Sequence, residues 1–418
     1  MRHVSRNVFT AAAVLLLQAC SSPTDGSKSA QPLISALPRA LSGDEKIAAD
    51  ATTEFGLALF RTVNARTARD SNLALSPISA SLALGMLMNG AELETLDQVR
   101  RTLAFGDRPV PQINAAYKAL IPLLSTLDPS VKMAFANAAW FDTRSPPSTT
   151  YTQSLSDVFA ARVSTLQLTA PGTVGTVNDW VSAATNTRIP KIVESFSADD
   201  IALLVNATYF KGNWRAQFDK ARTQAAPFQV SPSVSVSVPT MMNDKGLVRL
   251  GRTSGSTTVG ELPFGGDAFV MTIAVPPLGT LESMIDSLTP ARWQALLATM
   301  SPAMGTLRIQ LPKFRLETKR TLNAALMQLG MPRPFANAQL NPMFQTPASN
   351  RAVSYVLQKV FVDVNEEGAE AAAATAVVII RTSLPPSLTV DRPFLFVIRE
   401  RLSGTILFVG KVVRPVAP

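Results

Sequence analysis

The chain has 418 residues, 46% of them apolar and 17% charged, with a formal net charge of +9. That is too apolar for a disordered chain, and long enough for one large domain or up to about three ordinary ones. Its 30 prolines and 21 glycines are an ordinary share, which excludes a collagen-like or Pro/Gly-dominated sequence.

Arg2, His3 and Arg6 open the chain with positive charge, an apolar run covers 8–19, and Ala19 precedes Cys20. A helix needs ~20 apolar residues to span a bilayer, so 1–19 reads as an export signal that is removed. The string Leu17-Gln18-Ala19-Cys20 resembles a bacterial lipoprotein signal, which implies lipid on the sulfur of Cys20 and an anchored mature chain. Ser21, rather than an acid, after that cysteine resembles sorting to an outer membrane, facing the periplasm or the cell surface.

His3 and Cys20 are the chain's only histidine and cysteine. Cleavage before Cys20 therefore excludes a Ser-His-Asp triad, a Cys-His pair, a histidine zinc site, a thiolate cluster and any intrachain disulfide. No lysine has a serine three positions earlier, and the strings G-x-S-x-G, G-x-x-x-x-G-K-[ST] and H-E-x-x-H are absent. A carboxylate-only hydrolase and a distant Ser–Lys pair stay open, with nothing to select the residues.

Residues 20–44 are polar and proline-containing, as expected of a flexible tether, and 45–418 shows no composition break or repeat that would divide it. Ile47, Ala51, Phe55, Leu59 and Val63 make a helical stripe. The next helix is expected to start with Ser76 as cap and Pro77 at its first position, and to stop at Gly90. Helices are further expected over 112–127, 174–185, 281–300 and from Glu317 to Gly330. Strand patterns cover 131–141, 200–210, 268–276, 306–314, 354–364, 393–400 and 405–413. Helices early and long apolar strands late predict an α+β domain.

From 365 the chain reads NEEGAEAAAATAVVIIRTSLPPSLTV, and its two halves disagree. The alanines favour helix, whereas Val377, Val378, Ile379 and Ile380 favour strand. As a strand, Ala369, Ala371, Ala373, Thr375, Val377 and Ile379 would share one face of small or β-branched side chains, with Glu370 on the other. Such a face can slide into a sheet, so the segment can serve both as a loop ending at Pro385-Pro386 and as a buried strand.

At this point the sequence resembles the serpins, the serine-protease-inhibitor family. VNEEGAEAAAATAVVI at 364–379 is similar to the family's reactive-loop hinge, and DRPFLFVIRERLSGTILFVGKVVRP at 391–415 to its C-terminal strand pair. NLALSPISASLALGMLMNGAELET at 72–95 resembles the helix behind the main sheet. LVNATYFKGNW at 204–214, ELPFGGDAFVMTIAVP at 261–276 and LPKFRLET at 311–318 complete an ordered set over 45–415. The resemblance implies one α+β domain of three β-sheets and about nine helices, with an exposed reactive-centre loop over about 366–386.

It also implies a suicide inhibitor rather than an enzyme. A serine protease, or a cysteine protease as a second class, would be trapped as a covalent acyl-enzyme when the cleaved loop enters the main sheet. The hinge would comprise Glu366, Glu367, Gly368, Ala369, Glu370, Ala371, Ala372, Ala373, Ala374 and Thr375. The family's loop length puts the reactive bond at Thr382–Ser383, suited to elastase- or subtilisin-like pockets, with Arg381–Thr382 and a trypsin-like target as the alternative and a site upstream in Val377–Ile380 as a third. Asn72, Ser76, Ser79, Asn206, Trp214 and Gln358 fall where the family has its sheet-opening network, Gln358 replacing a histidine. No cofactor, metal or nucleic-acid partner is implied, and a monomer is expected. The competing reading is a non-inhibitory serpin-fold protein acting as a binding or surface-interaction module. Trp140, Trp180, Trp293 and the Met241-Met242 pair read as packing, and Arg315, Lys319 and Arg320 as solvated surface.

Overall fold

A computed structural model describes residues 1, 32–246, 249–302, 307–348, 351–368 and 387–417 of the chain. Cys20, the hinge residues 369–375 and the bonds among Arg381, Thr382 and Ser383 lie outside the described residues.

The chain opens with α1 (Gly43–Asn64), β1 (Leu73–Leu75), α2 (Pro77–Asn89), α3 (Leu93–Thr102) and α4 (Val110–Thr126). Next come β2 (Val131–Asp142), α5 (Thr149–Phe159), β3 (Arg162–Leu166), α6 (Thr173–Ala184) and β4 (Ala202–Gly212). Five strands follow: β5 (Gln224–Ser231), β6 (Val234–Asn243), β7 (Arg249–Arg252), β8 (Thr258–Phe264) and β9 (Phe269–Val275). After α7 (Leu281–Asp286) and α8 (Pro290–Ala298) stand β10 (Met300–Pro302), β11 (Arg308–Pro312), β12 (Phe314–Thr321) and α9 (Asn323–Gln328). The chain closes with β13 (Leu357–Val364), β14 (Ser387–Thr389), β15 (Phe394–Glu400) and β16 (Ile406–Val412).

The starts of the first two helices follow local chemistry. Ser42 and Glu45 form a reciprocal capping box at α1, with Glu45 Oε2 accepting from Ser42 N at 2.7 Å and Ser42 Oγ from Glu45 N at 3.2 Å. At α2, Ser76 Oγ accepts from Ser79 N, Pro77 takes the first position and Gly90 ends the helix, as expected. Nearly every α2 side chain is buried, because the helix runs through the core rather than along its surface.

Four sheets occur among the described residues: β1-β16-β15-β9-β8-β7-β10, β14-β11-β6-β5, β3-β2-β4 and β12-β13. The expected three become four because β4 and β13 form no ladder with each other, which separates the last two sheets. All seven positions of β9, β15 and β16 are buried, so these strands form the centre of the main core. A smaller cluster lies under α6, where Trp140, Val177 and Val181 pack with Leu203, Val205 and Ala207 of β4. Leu357 and Phe361 of β13 also pack against it, so this cluster reaches both strands.

The other differences are local. The helix expected from Glu317 begins only at Asn323, because 314–321 alternates Phe314, Leu316 and Thr318 inward with Arg315, Glu317 and Lys319 outward and pairs with β13. The helix expected over 281–300 is two, with Thr289 capping α8 at Pro290. Helices α3 and α5 were not expected. Trp140, Trp293 and Met241 are buried in packing, as read.

Candidate functional site

The region between β4 and β13 concentrates the unusual features of the molecule. Past the end of β13 the backbone turns through Glu366 and Glu367, and Gly368 bridges antiparallel to Asn365 on one side and to Asn213 on the other. Since Gly368 is antiparallel to both, β4 and β13 run parallel, and among the described residues they are bridged through Gly368 at this end. Gly368 has φ +141°, and a Cβ there would sit 2.2 Å from Gly212 O and 2.6 Å from Asn213 Cα. Only glycine allows the two backbones to meet so closely.

The joined end is heavily bonded. Trp214 N donates to Glu367 O and Phe218 N to Glu366 O, each at 2.8 Å, while Trp214 Nε1 donates to Asn365 O at 2.9 Å. The indole stacks on Phe264 at 4.4 Å between centroids and is buried. Glu366 and Glu367 are buried as well. Glu366 accepts from Thr223 Oγ1 at 2.8 Å and pairs with Lys313 at 3.0 Å. Burial opposes its ionisation, but its own backbone N–H, Lys313 and Thr223 outweigh that and hold its pKa below the usual carboxylate range. Glu367 pairs with Lys220 through one oxygen. Its other oxygen, Oε2, and Asn213 Oδ1 are buried without a partner among the described residues, so this end is closed at a polar cost.

Below the joined end the strands part. A cavity of about 30 Å³ separates Thr208 and Phe210 of β4 from Phe361 and Val362 of β13, above Ile398 and Phe408. Further along, a larger one of about 60 Å³ is bounded by Ala202, Leu204, Val356, Leu84, Leu87 and Phe344, among others. Between the two lies a buried polar pair: Gln358 Nε2 donates to Ser76 O at 2.8 Å, and Ser76 N to Gln358 Oε1 at 3.1 Å. Ser76 Oγ donates to Leu407 O at 2.8 Å, and Ser79 Oγ to Asn206 O at 3.3 Å.

A family model, Serpin (serine protease inhibitor), matches residues 50–415. The chain belongs to the serpin family. Neuroserpin of Gallus gallus is 32% identical over 370 residues, covering 84% of this chain and 88% of its own. Plasminogen activator inhibitor 1 of Neovison vison is 31% identical over 397 residues, covering 89% and 94%. The structure of human glycosylated kallistatin superposes with a TM-score of 0.80 at 25% identity, over 90% of this chain and all of that one. Serpin membership makes the chain a non-catalytic protein of an inhibitor family, and among the described residues no three His, Cys, Asp or Glu side chains gather to hold a metal.

In this serpin the six residues expected in one sheet-opening network occupy three places. Ser76, Ser79, Gln358 and the backbone of Asn206 meet at mid-seam, and Trp214 sits at the joined end. Asn72 belongs to neither: its Oδ1 accepts from Val413 N at 2.7 Å and Arg414 N at 3.1 Å, and its Nδ2 donates to Arg414 O, tying down the chain after β16. The physical reason is position: Asn72 precedes β1, whose antiparallel pairing with β16 sets it beside the residues that follow β16, whereas Ser76 lies beyond the other end of β1.

Sequence reasoning missed Asn137, whose Oδ1 accepts from Asn206 Nδ2 at 2.6 Å and whose Nδ2 donates to Phe159 O at 2.7 Å. Its signal was present: Asn137 and Asn206 are each a lone amide inside an apolar strand, and they pair directly across β2 and β4. Lys220, Thr223 and Lys313 were missed because only tertiary contact marks them as partners of the glutamates.

Proposed function

We propose that this serpin is a suicide inhibitor of serine proteases, exported and lipid-anchored through Cys20. The observation that carries the reading is Gly368 bridging both Asn365 and Asn213 at the head of a seam along which the described residues form no ladder. Continuing both bridges antiparallel, each successive loop residue would meet one residue of β4 and one of β13. Ala371 would stand beside Phe210 and Val362, and Ala373 beside Thr208 and Val360. Thr375, the one polar residue on that face, would stand beside Asn206 and Gln358, at the polar pair. Val377 would reach Leu204 and Val356, and Ile379 would reach Ala202 and Ser354, all of which line the larger cavity. Small, polar and apolar side chains thus follow one another in the order in which the seam offers them space.

In the proposed reaction a protease serine Oγ attacks the carbonyl carbon of Thr382. The Thr382–Ser383 bond breaks, the Ser383 amine takes the proton and leaves, and an ester to Thr382 remains. The freed strand enters the seam before water hydrolyses that ester, and the attached enzyme is carried with it. Thr382 suits elastase- or subtilisin-like pockets, and Arg381–Thr382 is the alternative bond for a trypsin-like one. A cysteine protease would form the corresponding thioester.

The relatives' names support inhibition: one is called a plasminogen activator inhibitor. The parts of the proposed precursor are the signal at 1–19, a tether at 20–44 and one serpin domain at 45–418. The mature protein would be a monomer held at an outer membrane. Incubation with elastase-, subtilisin- and trypsin-like enzymes tests the reading on denaturing gels. A band near the summed masses is expected, with the released peptide beginning at Ser383. Cleavage without such a band for every enzyme would instead favour a non-inhibitory binding module. Lipid is tested separately: mass spectrometry is expected to show an acylated Cys20 at the mature N-terminus.

A further inference from the structure

Residues 32–37, within the stretch expected to be a flexible tether, are docked on the domain. Ile34 N donates to Gly266 O at 2.7 Å, and Ile34 O accepts from Arg401 Nη2 at 3.2 Å. Ile34 and Leu37 are partly buried against the main core. Gly266 is shaped to this segment, since a Cβ there would lie 2.8 Å from Ile34 Cδ1 and 3.0 Å from Pro32 O.

The turn that receives Ile34 is also the turn that backs the joined end of the seam. Gly265 N donates to Asn213 O at 2.9 Å, Arg215 N to Pro263 O at 2.9 Å, and Arg215 Nη1 to Gly265 O at 3.1 Å. Phe264 carries the stacked Trp214 ring, and Trp214 N holds Glu367 O. Ile34 therefore grips one side of the 264–268 turn while Asn213 and Trp214 grip the other, and Asp128 Oδ2 pins its centre by accepting from Gly266 N at 2.7 Å.

We infer that residues 32–37 form a strap that stabilises the closed end of the seam. Local opening requires Asn213 and Trp214 to separate from Glu366, Glu367 and Gly368, and a turn clamped on both flanks offers them fewer arrangements in which to do so. Release of the strap raises the open population. The consequence for inhibition rests on the insertion reading above: a strapless molecule inserts its own uncleaved loop sooner and loses activity.

Hydrogen exchange on the full chain tests this with three substitutions. Ile34→Pro removes the N–H donated to Gly266, Ile34→Ser removes the apolar anchor, and Ile34→Val keeps both. Exchange of the Gly265, Trp214 and Phe218 amides should quicken at least fivefold in the first two and stay as in the parent in the third, with β15 and β16 amides unchanged in all. The half-time for spontaneous loss of protease trapping should shorten by a comparable factor. Unchanged exchange at Gly265 and Trp214 in both the Pro and Ser variants overturns the strap. If the parent traps no protease, only the inhibitor reading falls, because the exchange measurement needs no protease.

Discussion

Gln358 and Ser76 exchange two hydrogen bonds at mid-seam, the amide donating to the serine carbonyl and accepting from the serine N–H. Both groups are buried, and the pair ties β13 to the first turn of α2. Gln358→Ala should leave the Ser76 N–H without a partner and its C=O with only the Ala80 N–H at 3.1 Å, lowering the unfolding free energy by about 1–3 kcal/mol. Denaturant titration checks this, and a midpoint equal to the parent's would show that the pair is not needed.

A histidine at this position would behave differently with pH. Neutral imidazole can donate and accept as the amide does, but imidazolium only donates and cannot take the Ser76 N–H. The folded state of Gln358→His should therefore bind its proton less readily than the unfolded chain. Its stability should fall by about 1.4 kcal/mol per pH unit once pH drops below ~6.5, a loss the parent does not show relative to its own value at pH 8. Thermal scans of both proteins from pH 8 to 5.5 decide it.

The helix cap gives an acid-range prediction. The Arg39 guanidinium, bonded to Glu45 at 2.6 and 2.5 Å, holds the Glu45 carboxyl down to about 2 against its burial, helped by Ser42. A depressed carboxylate contributes stability that is complete above its unfolded value near 4.5 and is lost as pH falls through about 2. The Tm gap between the parent and Glu45→Gln should be constant from pH 8 to 5 and shrink steadily between 4.5 and 2. A gap unchanged at pH 2 would contradict the assignment.

Gly368→Ala should strain the joined end, because its Cβ has no room beside Gly212 O at a backbone φ of +141°. The expected cost is about 1–3 kcal/mol. A red shift in tryptophan emission should accompany it and disappear in a Trp214→Phe background, which separates opening at the seam from general unfolding.

On the proposed insertion, Thr375→Arg should spare the native fold and impair trapping, since a long cation would have to pass Asn206 and Gln358. The stoichiometry of inhibition should rise several-fold with Tm held within about 2 °C of the parent. An unchanged stoichiometry would count against the proposed inserted face.

How much the sequence could determine follows from the range of the interactions involved. Serine before proline at α2, the stripe of α1 and the apolar runs of β9, β15 and β16 are local patterns, legible because period and cap chemistry act over a few residues. They sufficed for an α+β domain and for the family resemblance. The boundary at 317–323 was misread because helix and strand are both locally acceptable there, and pairing with β13 decides. The separation of Asn72 from Ser76 was equally hidden, as neighbours in sequence can face different sheets. So were the lysines on Glu366 and Glu367 and the docking of Ile34 on Gly266, over 200 residues away. Those contacts exist only once the strands are in register, because their energies depend on burial and distance, which composition does not encode.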